Sequence, residues 1–497
     1  MDAERTPVIA AVGQSIERSE IVSAVELAAR ASEAALDTAS GLRERIQRLS
    51  VISIVFSPAS ARPASELAER LGMPGVDVDV STAGGNAPQW MITRAAQEIS
   101  AGRLDATLIA GAEATRSMRA AEPGASFMRG LPSQDDANGP PDPVVGPPLD
   151  NMTCNAEKAI RLFLPTEIYP LFESARAHKA GRSFAEQRAY LGPLMSSFSH
   201  VAADHPFAWF RKALSPAEVA TASADNRLIA EPYPKQMNAF PNVDQGAAVI
   251  VTSLARAREL GLDDGCLYIW SGANLAEPPA TSRPDLSDAP AMRAAAAAAL
   301  DSAGVGPDDL ALIDLYSCFP VAVEIAAEGI GVPLDDARRL TVTGGLPFFG
   351  GPGNNYSMHA IATLAERLPE VGGLGYIGAN GGVLSKHSAG VYGTSPPPRG
   401  FVAADTGEQQ AAINAAALPM TTDAQGPATV AAATVVYDRN GQITDAPVIA
   451  TLADGRRVAA RAHESIRSSL SATNLTGAAI HLTPSPPTYT LPEGGGA

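Results

Sequence analysis

Gly344–His359, GGLPFFGGPGNNYSMH, holds five glycines, two prolines and two asparagines and runs straight into the alanine- and leucine-rich pattern Ala360–Leu368. A glycine-rich turn that opens a helix lets backbone N–H groups approach a ligand closely, and the helix N-terminus favours negative charge there. The same grammar recurs earlier in the chain. Gly84–Ile99, GGNAPQWMITRAAQEI, aligns with Pro352–Arg367, PGNNYSMHAIATLAER, and each is followed by an apolar strand, Ala106–Gly111 and Leu374–Ala379. Asn86 and Asn354 are 268 residues apart, and so are Ile109 and Ile377. Upstream, Ala34–Ala39 (AALDTA) returns as Ala298–Ala303 (AALDSA), 264 residues on, each leading to a strand, Val51–Phe56 and Ala311–Leu315. Matching order over this length reads as a duplicated α/β unit. Short apolar strands alternating with helices imply βαβ units and a mostly parallel, buried sheet.

Composition sets the class. At 497 residues, 45% hydrophobic and 18% charged, the chain can bury a large core across two or three domains. A formal charge of −16 argues against nucleic acid or an anionic membrane surface as partner, so an anionic ligand needs a local basic or helix-end site. Cys154, Cys266 and Cys318 are too scattered for a disulfide framework or metal knuckle, which suggests a reducing compartment; no metal is expected. The start, MDAERTPVIAAVGQ, puts acidic residues ahead of its apolar run, unlike a signal peptide, and no 18-residue apolar run occurs. The expectation is a cytoplasmic protein without a membrane span.

In chain order, Pro7–Gly13 reads as a strand and Ile21–Asp37 as an amphipathic helix. Ala121–Pro148 is rich in Pro, Gly and Asp, and Pro165–Phe210 looks helical, so residues 119–240 read as an inserted loop domain. The strand pattern resumes at Asp244–Ser253 and Cys266–Trp270. After Ser395–Arg399, Ala428–Ala462 alternates and carries two hairpin signals, Asn440-Gly441 and Asp454-Gly455. The expected division is 1–255 for the first half with its insertion, 256–395 for the second half, 396–485 for a small, barrel-like β module, and 486–497 for a disordered tail.

These features together resemble the thiolase superfamily, near the sterol-carrier-type thiolases and the thiolase-fold steroid side-chain aldolases, over about residues 5–395. GAEATRS (Gly111–Ser117) resembles the segment after the nucleophile helix, DQGAA (Asp244–Ala248) the DGAAA strand entry, and GGLPFFGGPGNN the GGAIALGHPxGAS loop. GANGGV (Gly378–Val383) resembles the CxGGG loop, and DLYSCF (Asp314–Phe319) the NEAF or HDCF segment. The resemblance implies an α/β thiolase fold of five layers, αβαβα, with duplicated βαβ halves, an inserted loop domain and a small C-terminal β module. It also implies a homodimer or homotetramer that acts on an acyl-CoA thioester without a bound cofactor.

The family's catalytic residues are not matched. The nucleophilic cysteine corresponds to Gly85, the histidine of GHP to Gly351, the acid/base cysteine to Ala379, and the NEAF asparagine to Tyr316. Thiolate catalysis needs an activated sulfur beside a base, and neither stands in its place. Tyr316-Ser317-Cys318-Phe319 resembles instead the YDCF segment of the steroid aldolases, whose tyrosine moves protons while a separate β-barrel protein binds alongside; the C-terminal module resembles that partner joined in cis. The implied reaction is carbon–carbon cleavage or formation through an enolate, with no acyl-cysteine. The alternatives are a non-catalytic CoA-ester scaffold and an acetyl-CoA acetyltransferase with a relocated nucleophile such as Cys154.

The candidate catalytic residues are Tyr316, Tyr356 and His387. Tyr356 follows the second elbow, and His387 follows the GANGGV loop. The candidate substrate-binding residues are Gly85, Asn86, Ser317, Asn354, Asn380, Gly381 and Gly382, whose amides and side chains could form an oxyanion hole. Tyrosine has an ordinary pKa near 10, so Tyr316 could serve as a base only if neighbouring donors lowered it.

Overall fold

In a computed structural model the duplication is laid out as two matching sheets. The structure describes residues 2–125, 139–148, 152–467 and 469–492. The first half runs β1 (Pro7–Ile16), α1 (Ala24–Thr38), β2 (Arg48–Val51), α2 (Pro63–Arg70), β3 (Asp77–Ser81), α3 (Ala87–Ser100), β4 (Ala106–Ala114) and α4 (Thr115–Ala121). The insertion carries β5 (Val144–Val145), α5 (Asn155–Ala159), α6 (Pro165–Lys179), α7 (Phe184–Asp204), α8 (Pro216–Ala220), β6 (Leu228–Ala230) and β7 (Tyr233–Pro234) before β8 (Asp244–Ser253) and α9 (Leu254–Glu259). The second half is β9 (Leu267–Ala276), α10 (Pro290–Ala303), β10 (Leu310–Leu315), α11 (Pro320–Ile330), α12 (Tyr356–Val371), β11 (Leu374–Gly381) and β12 (Lys386–Gly393).

The first sheet is ordered β3-β2-β4-β8-β1 and the second β10-β11-β12-β9, joined where Val8 and Ile9 of β1 meet Tyr268 and Leu267 of β9. In each half the two α/β strands are parallel and the returning strands antiparallel. The second half has no counterpart of β3 among the described residues. α3 and α12 share one apolar core between the sheets, with Met91, Ile92, Met358 and Ile361 fully buried. α1 and α2 cover the outer face of the first sheet, and α10 and α11 that of the second. These are the five layers αβαβα that the resemblance implied.

Several local expectations shift. The strand expected at Val51–Phe56 ends at Val51, because the next amides turn away to a buried carboxylate: Val55, Phe56 and Ser57 N–H all donate to Glu113. Ile21–Asp37 becomes a helix from Ala24, where the Ser23 hydroxyl accepts Glu26 N–H as an N-cap. Within the residues expected as a loop at 121–148, Val144 and Val145 pair with Val80 and Ser81, covering the outer edge of β3; residues 126–138 lie outside the described residues.

After 395–399 the chain does not leave the α/β core. β13 (Val402–Ala403) adds to β9, and α13 (Gly407–Ala415) packs near α10. The module proper is a closed five-stranded barrel of β14 (Gly426–Ala433), β17 (Val448–Leu452), β18 (Arg457–Ala462), β20 (Thr488–Thr490) and β19 (Ala479–Thr483), with the hairpin β15 (Val436–Tyr437) and β16 (Ile443–Asp445) inserted after β14. Both hairpin signals hold: Asn440-Gly441 joins β15 to β16, and Asp454-Gly455 joins β17 to β18. The tail expected to be disordered from 486 instead supplies β20, which closes the barrel with Tyr489 fully buried; closure removes the free sheet edges. Residues 493–497 lie outside the described residues.

The barrel is docked, not merely attached. β15 pairs with β6 of the insertion, and Ala432, Ile449 and Ala459 belong to the same apolar core as α6 and α11. Arg461 bonds Glu167 and Asp445, and Arg457 bonds the carbonyls of Arg283 and Pro284. No helix among the described residues is long and apolar enough to cross a membrane.

Candidate active site

The two glycine-rich elbows meet at the interface of the halves. Gly84, at φ +147°, turns the chain into α3, and its N–H donates to Asn354 Oδ1 at 2.9 Å. Asn354 Nδ2 donates to the Ser53 carbonyl at 2.8 Å, and Ser357 Oγ donates to the Gly85 carbonyl at 2.8 Å. One asparagine of the second elbow thus fastens the first. Asn354 is a bolt between halves, with its Oδ1 and its Nδ2 each engaged.

Gly85 is where the side chain of a nucleophile would start. A Cβ built there would lie 2.2 Å from Tyr316 Oη and 2.6 Å from the Asn380 carbonyl. Tyr316, at the end of β10, therefore reaches across the interface and fills that volume with its own hydroxyl. Its ring lies edge-on to Tyr356, centroids 5.4 Å apart at 86°, a favoured aromatic geometry. Burial, then the neighbouring Cys318, pushes the Tyr316 phenol well above its ordinary range. The hydroxyl makes no hydrogen bond among the described residues. The phenol is therefore neutral, and no donor among the described residues lowers it as a base would need.

His387 lies on β12, opposite Asn380 in the β11–β12 register. Tyr316, His387 and Asn380 line one small cavity of about 10 Å³ together with Tyr376, Ser388 and Met292, room for about one water. Burial, then Arg283, lowers the His387 pKa to about 3, so the imidazole is neutral, and neither ring nitrogen has a partner among the described residues. Asn380 donates through Nδ2 to Tyr169 Oη at 2.9 Å and leaves Oδ1 unpartnered; Asn86 donates to Ser388 Oγ at 3.3 Å and likewise leaves Oδ1 unpartnered. Buried polar atoms without partners cost about 1–3 kcal/mol each. Four of them around one elbow mark a place built for polar contacts.

The remaining candidates divide. Tyr356 is brought to Tyr316, but its hydroxyl points away from the cavity to Thr343 Oγ1 at 2.6 Å and Asp314 Oδ1 at 3.5 Å. It positions the Tyr316 ring and does not face the cavity, a correction to its catalytic assignment that follows from this inward bonding. Ser317 Oγ accepts Leu346 N–H at 3.2 Å and is wholly buried, so it shapes the second elbow. Gly381 packs where a Cβ would meet Asn86 Oδ1 at 2.4 Å and Gly85 N at 3.0 Å. Gly382, at φ +67°, offers its carbonyl to Tyr169 Oη at 3.3 Å.

Three buried ionisable residues escaped the sequence reading. Asp314, beneath Tyr356, accepts Val342 N–H and Thr341 Oγ1, and burial raises it to about 7. Glu113 is raised to about 7 by the same cause and sits where a Cβ on Gly353 would meet it at 2.5 Å. Lys386 is buried against the elbow, donates to the Ala83 carbonyl, and is lowered to about 8 by burial. Asp314 and Glu113 stood in quoted motifs, DLYSCF and GAEATRS, and Lys386 beside His387. Their burial could not be read there.

No cysteine stands at the elbow. Cys318 Sγ accepts Asn380 Nδ2 at 3.6 Å, and burial pushes its thiol up to about 12. Cys154 opens α5, where its N–H donates to Glu157, and burial and that carboxylate raise its thiol. No group of three or more His, Cys, Asp or Glu able to hold a metal occurs among the described residues.

The chain matches a crystal structure of a monomeric SCP2-thiolase-like protein type 1 from Mycobacterium smegmatis at 33% identity, over 99% of this chain and 100% of that one, with a TM-score of 0.84. The chain belongs to the SCP2-thiolase-like family. Beyond this family the likeness is one of fold. An Ltp2–ChsH2 (DUF35) aldolase aligns over 79% of this chain and 98% of its own at 17% identity and a TM-score of 0.59. An acetyl-CoA acetyltransferase from Syntrophomonas wolfei aligns over 78% and 99% at 17% and 0.57. No protein-family model and no curated protein matches the sequence. The SCP2-thiolase-like match spans the whole chain, whereas the thiolase-fold matches leave about a fifth of it unaligned.

Proposed function

We propose that this SCP2-thiolase-like protein acts on CoA thioesters by carbon–carbon cleavage or formation through an enolate, without an acyl-cysteine. The observation that carries the reading is Tyr316 Oη in the volume facing Gly85, beside a neutral, unpartnered His387. Their environments push the two groups apart in the way acid–base pairs require: a protonated phenol to give a proton, an uncharged imidazole to take one. In the cleavage direction His387 accepts the proton of a 3-hydroxyl, the C2–C3 bond breaks to leave an aldehyde or ketone, and its electrons pass into the thioester enolate. Tyr316 then protonates C2, and a proton returns from the imidazolium to the phenolate to restore both groups. Amides around Gly85, Gly381 and Gly382 are the donors proposed for the enolate oxygen.

The test is product formation from 3-hydroxy- and 3-ketoacyl-CoA thioesters, with and without free CoA, for the wild type and Tyr316→Phe. Cleavage without added CoA that falls about 10²–10⁴-fold in Tyr316→Phe supports the reading. Cleavage that requires added CoA would mean thiolysis and sink it. A second reading, a CoA-ester binding protein without turnover, is favoured by the size of the cavity, about 10 Å³, which holds no acyl group until the elbows move apart. Saturable binding with no product from any substrate would select it.

A further inference from the structure

The site at the elbows leaves the nucleotide end of a CoA thioester unseated, and the chain's net charge of −16 makes any cationic surface informative. One such surface is a groove of about 540 Å³ between the α5–α6 turn and the barrel, lined by Ile160, Arg161, Phe163, Leu164, Arg467 and Pro487. Phe163 and Leu164 are 45% and 51% exposed, an unusual pair to leave in water at one turn. Arg461, on the same wall, is fully occupied by Glu167, Asp445 and the carbonyls of Ile160 and Arg161. That ion-pair network neutralises the nearest carboxylates; the exposed Glu464 of the turn before Arg467 is the remaining acid on that segment. The two rim arginines are left over. Arg161 makes no side-chain hydrogen bond among the described residues, and Arg467 makes one, from Nε to the Ala462 carbonyl at 3.2 Å. Arg161 is also held at φ +57°, a costly conformation for a residue other than glycine.

We propose that this groove seats the phosphorylated nucleotide of the CoA thioester, which rests on the CoA-thioester reading above. Guanidinium groups without carboxylate partners match phosphate oxygens in charge and fork geometry, and an exposed phenyl ring offers a face to a purine. The groove is also tied to the elbow. α6 starts at its wall with Pro165, and five residues beyond Leu164, about 7–8 Å at the helical rise, Tyr169 Oη accepts Asn380 Nδ2 and Leu384 N–H, each at 2.9 Å. One helix therefore sets the distance from groove to cavity, and an extended pantetheine arm covers such a span.

Calorimetric titration of the full chain with CoA, adenosine 3′,5′-bisphosphate and inorganic pyrophosphate tests this, in the wild type, Arg161→Ala/Arg467→Ala and Phe163→Ala. All three positions are exposed, and circular dichroism checks that the variants fold. The double variant should weaken CoA and the bisphosphate in parallel, by about tenfold or more, and Phe163→Ala should weaken both while leaving pyrophosphate unchanged. Wild type binding CoA with no loss in any variant overturns the groove and leaves the CoA reading standing. No CoA binding by the wild type overturns both. Pyrophosphate bound as tightly as CoA and indifferent to Phe163 makes the groove a general anion site and overturns the nucleotide assignment.

Discussion

Replacing Gly85 by alanine probes the packing on which the site depends. The added methyl would lie 2.2 Å from Tyr316 Oη, 2.6 Å from its Cζ and 2.6 Å from the Asn380 carbonyl oxygen. Gly85 is not among the residues at positive φ, so the penalty is one of space and not of backbone conformation. The Asn380 oxygen is backbone on a strand paired with β12 at His387, so it yields less readily than a side chain. Tyr316 must move, giving up its edge contact with Tyr356. Overpacking costs about 1–3 kcal/mol and a lost aromatic pair about 0.5–1.5, so a destabilisation of about 2–4 kcal/mol is expected. Urea unfolding followed by circular dichroism measures it for Gly85→Ala, Tyr316→Ala and the double variant. Tyr316→Ala alone should cost about 3–5 kcal/mol, and because its cavity admits the new methyl, the double variant should fall short of the sum by about 1–3. A neutral Gly85→Ala, or strict additivity, would show that the tyrosine does not occupy the volume in front of the elbow.

Two buried groups give stability opposite slopes with pH. Asp314, raised to about 7, keeps a proton that the unfolded chain releases from about pH 4, so wild-type stability relative to Asp314→Asn should fall by about 2 kcal/mol between pH 5 and 7.5 and level off above. Lys386, lowered to about 8, holds fewer protons when folded, so stability relative to Lys386→Met should rise between about pH 8 and 10.4, and a flat difference would contradict its burial. Truncation after Gly400 should yield insoluble protein, because it strips Ala432, Ile449 and Ala459 from a shared core; a soluble, folded fragment would show the barrel to be dispensable. Light scattering should report a monomer rather than the dimer or tetramer expected from sequence, since Val144 and Val145 cover the edge of β3 where a second copy would extend the sheet.

What the sequence disclosed followed from short-range pattern. Glycine turns, apolar strand runs and the offset of 268 residues between Asn86 and Asn354 exposed the duplication, and the Asn-Gly and Asp-Gly turns placed both hairpins. What it concealed is pairing across long separations. Nothing local says that Asn354 binds Gly84, 270 positions away, or that Tyr316 fills the space before Gly85. Tyr356 read as catalytic because it follows an elbow; its hydroxyl turned inward because Thr343 and Asp314, on other segments, are its partners. Strand β20 was hidden by the prolines before it and the glycines after it, since only closure of the barrel makes so short a segment worth ordering.

A barrel borne on the same polypeptide as the thiolase core is never diluted away from it. Short flexible tethers hold joined modules at millimolar effective concentration, so the contact between β15 and β6 forms at any expression level, always one barrel to one core. A reversible partner could be withheld, exchanged or titrated by the cell, and this one cannot. Control over its presence passes from binding equilibria to folding, and a lesion in β20 would be felt as a defect of the whole fold.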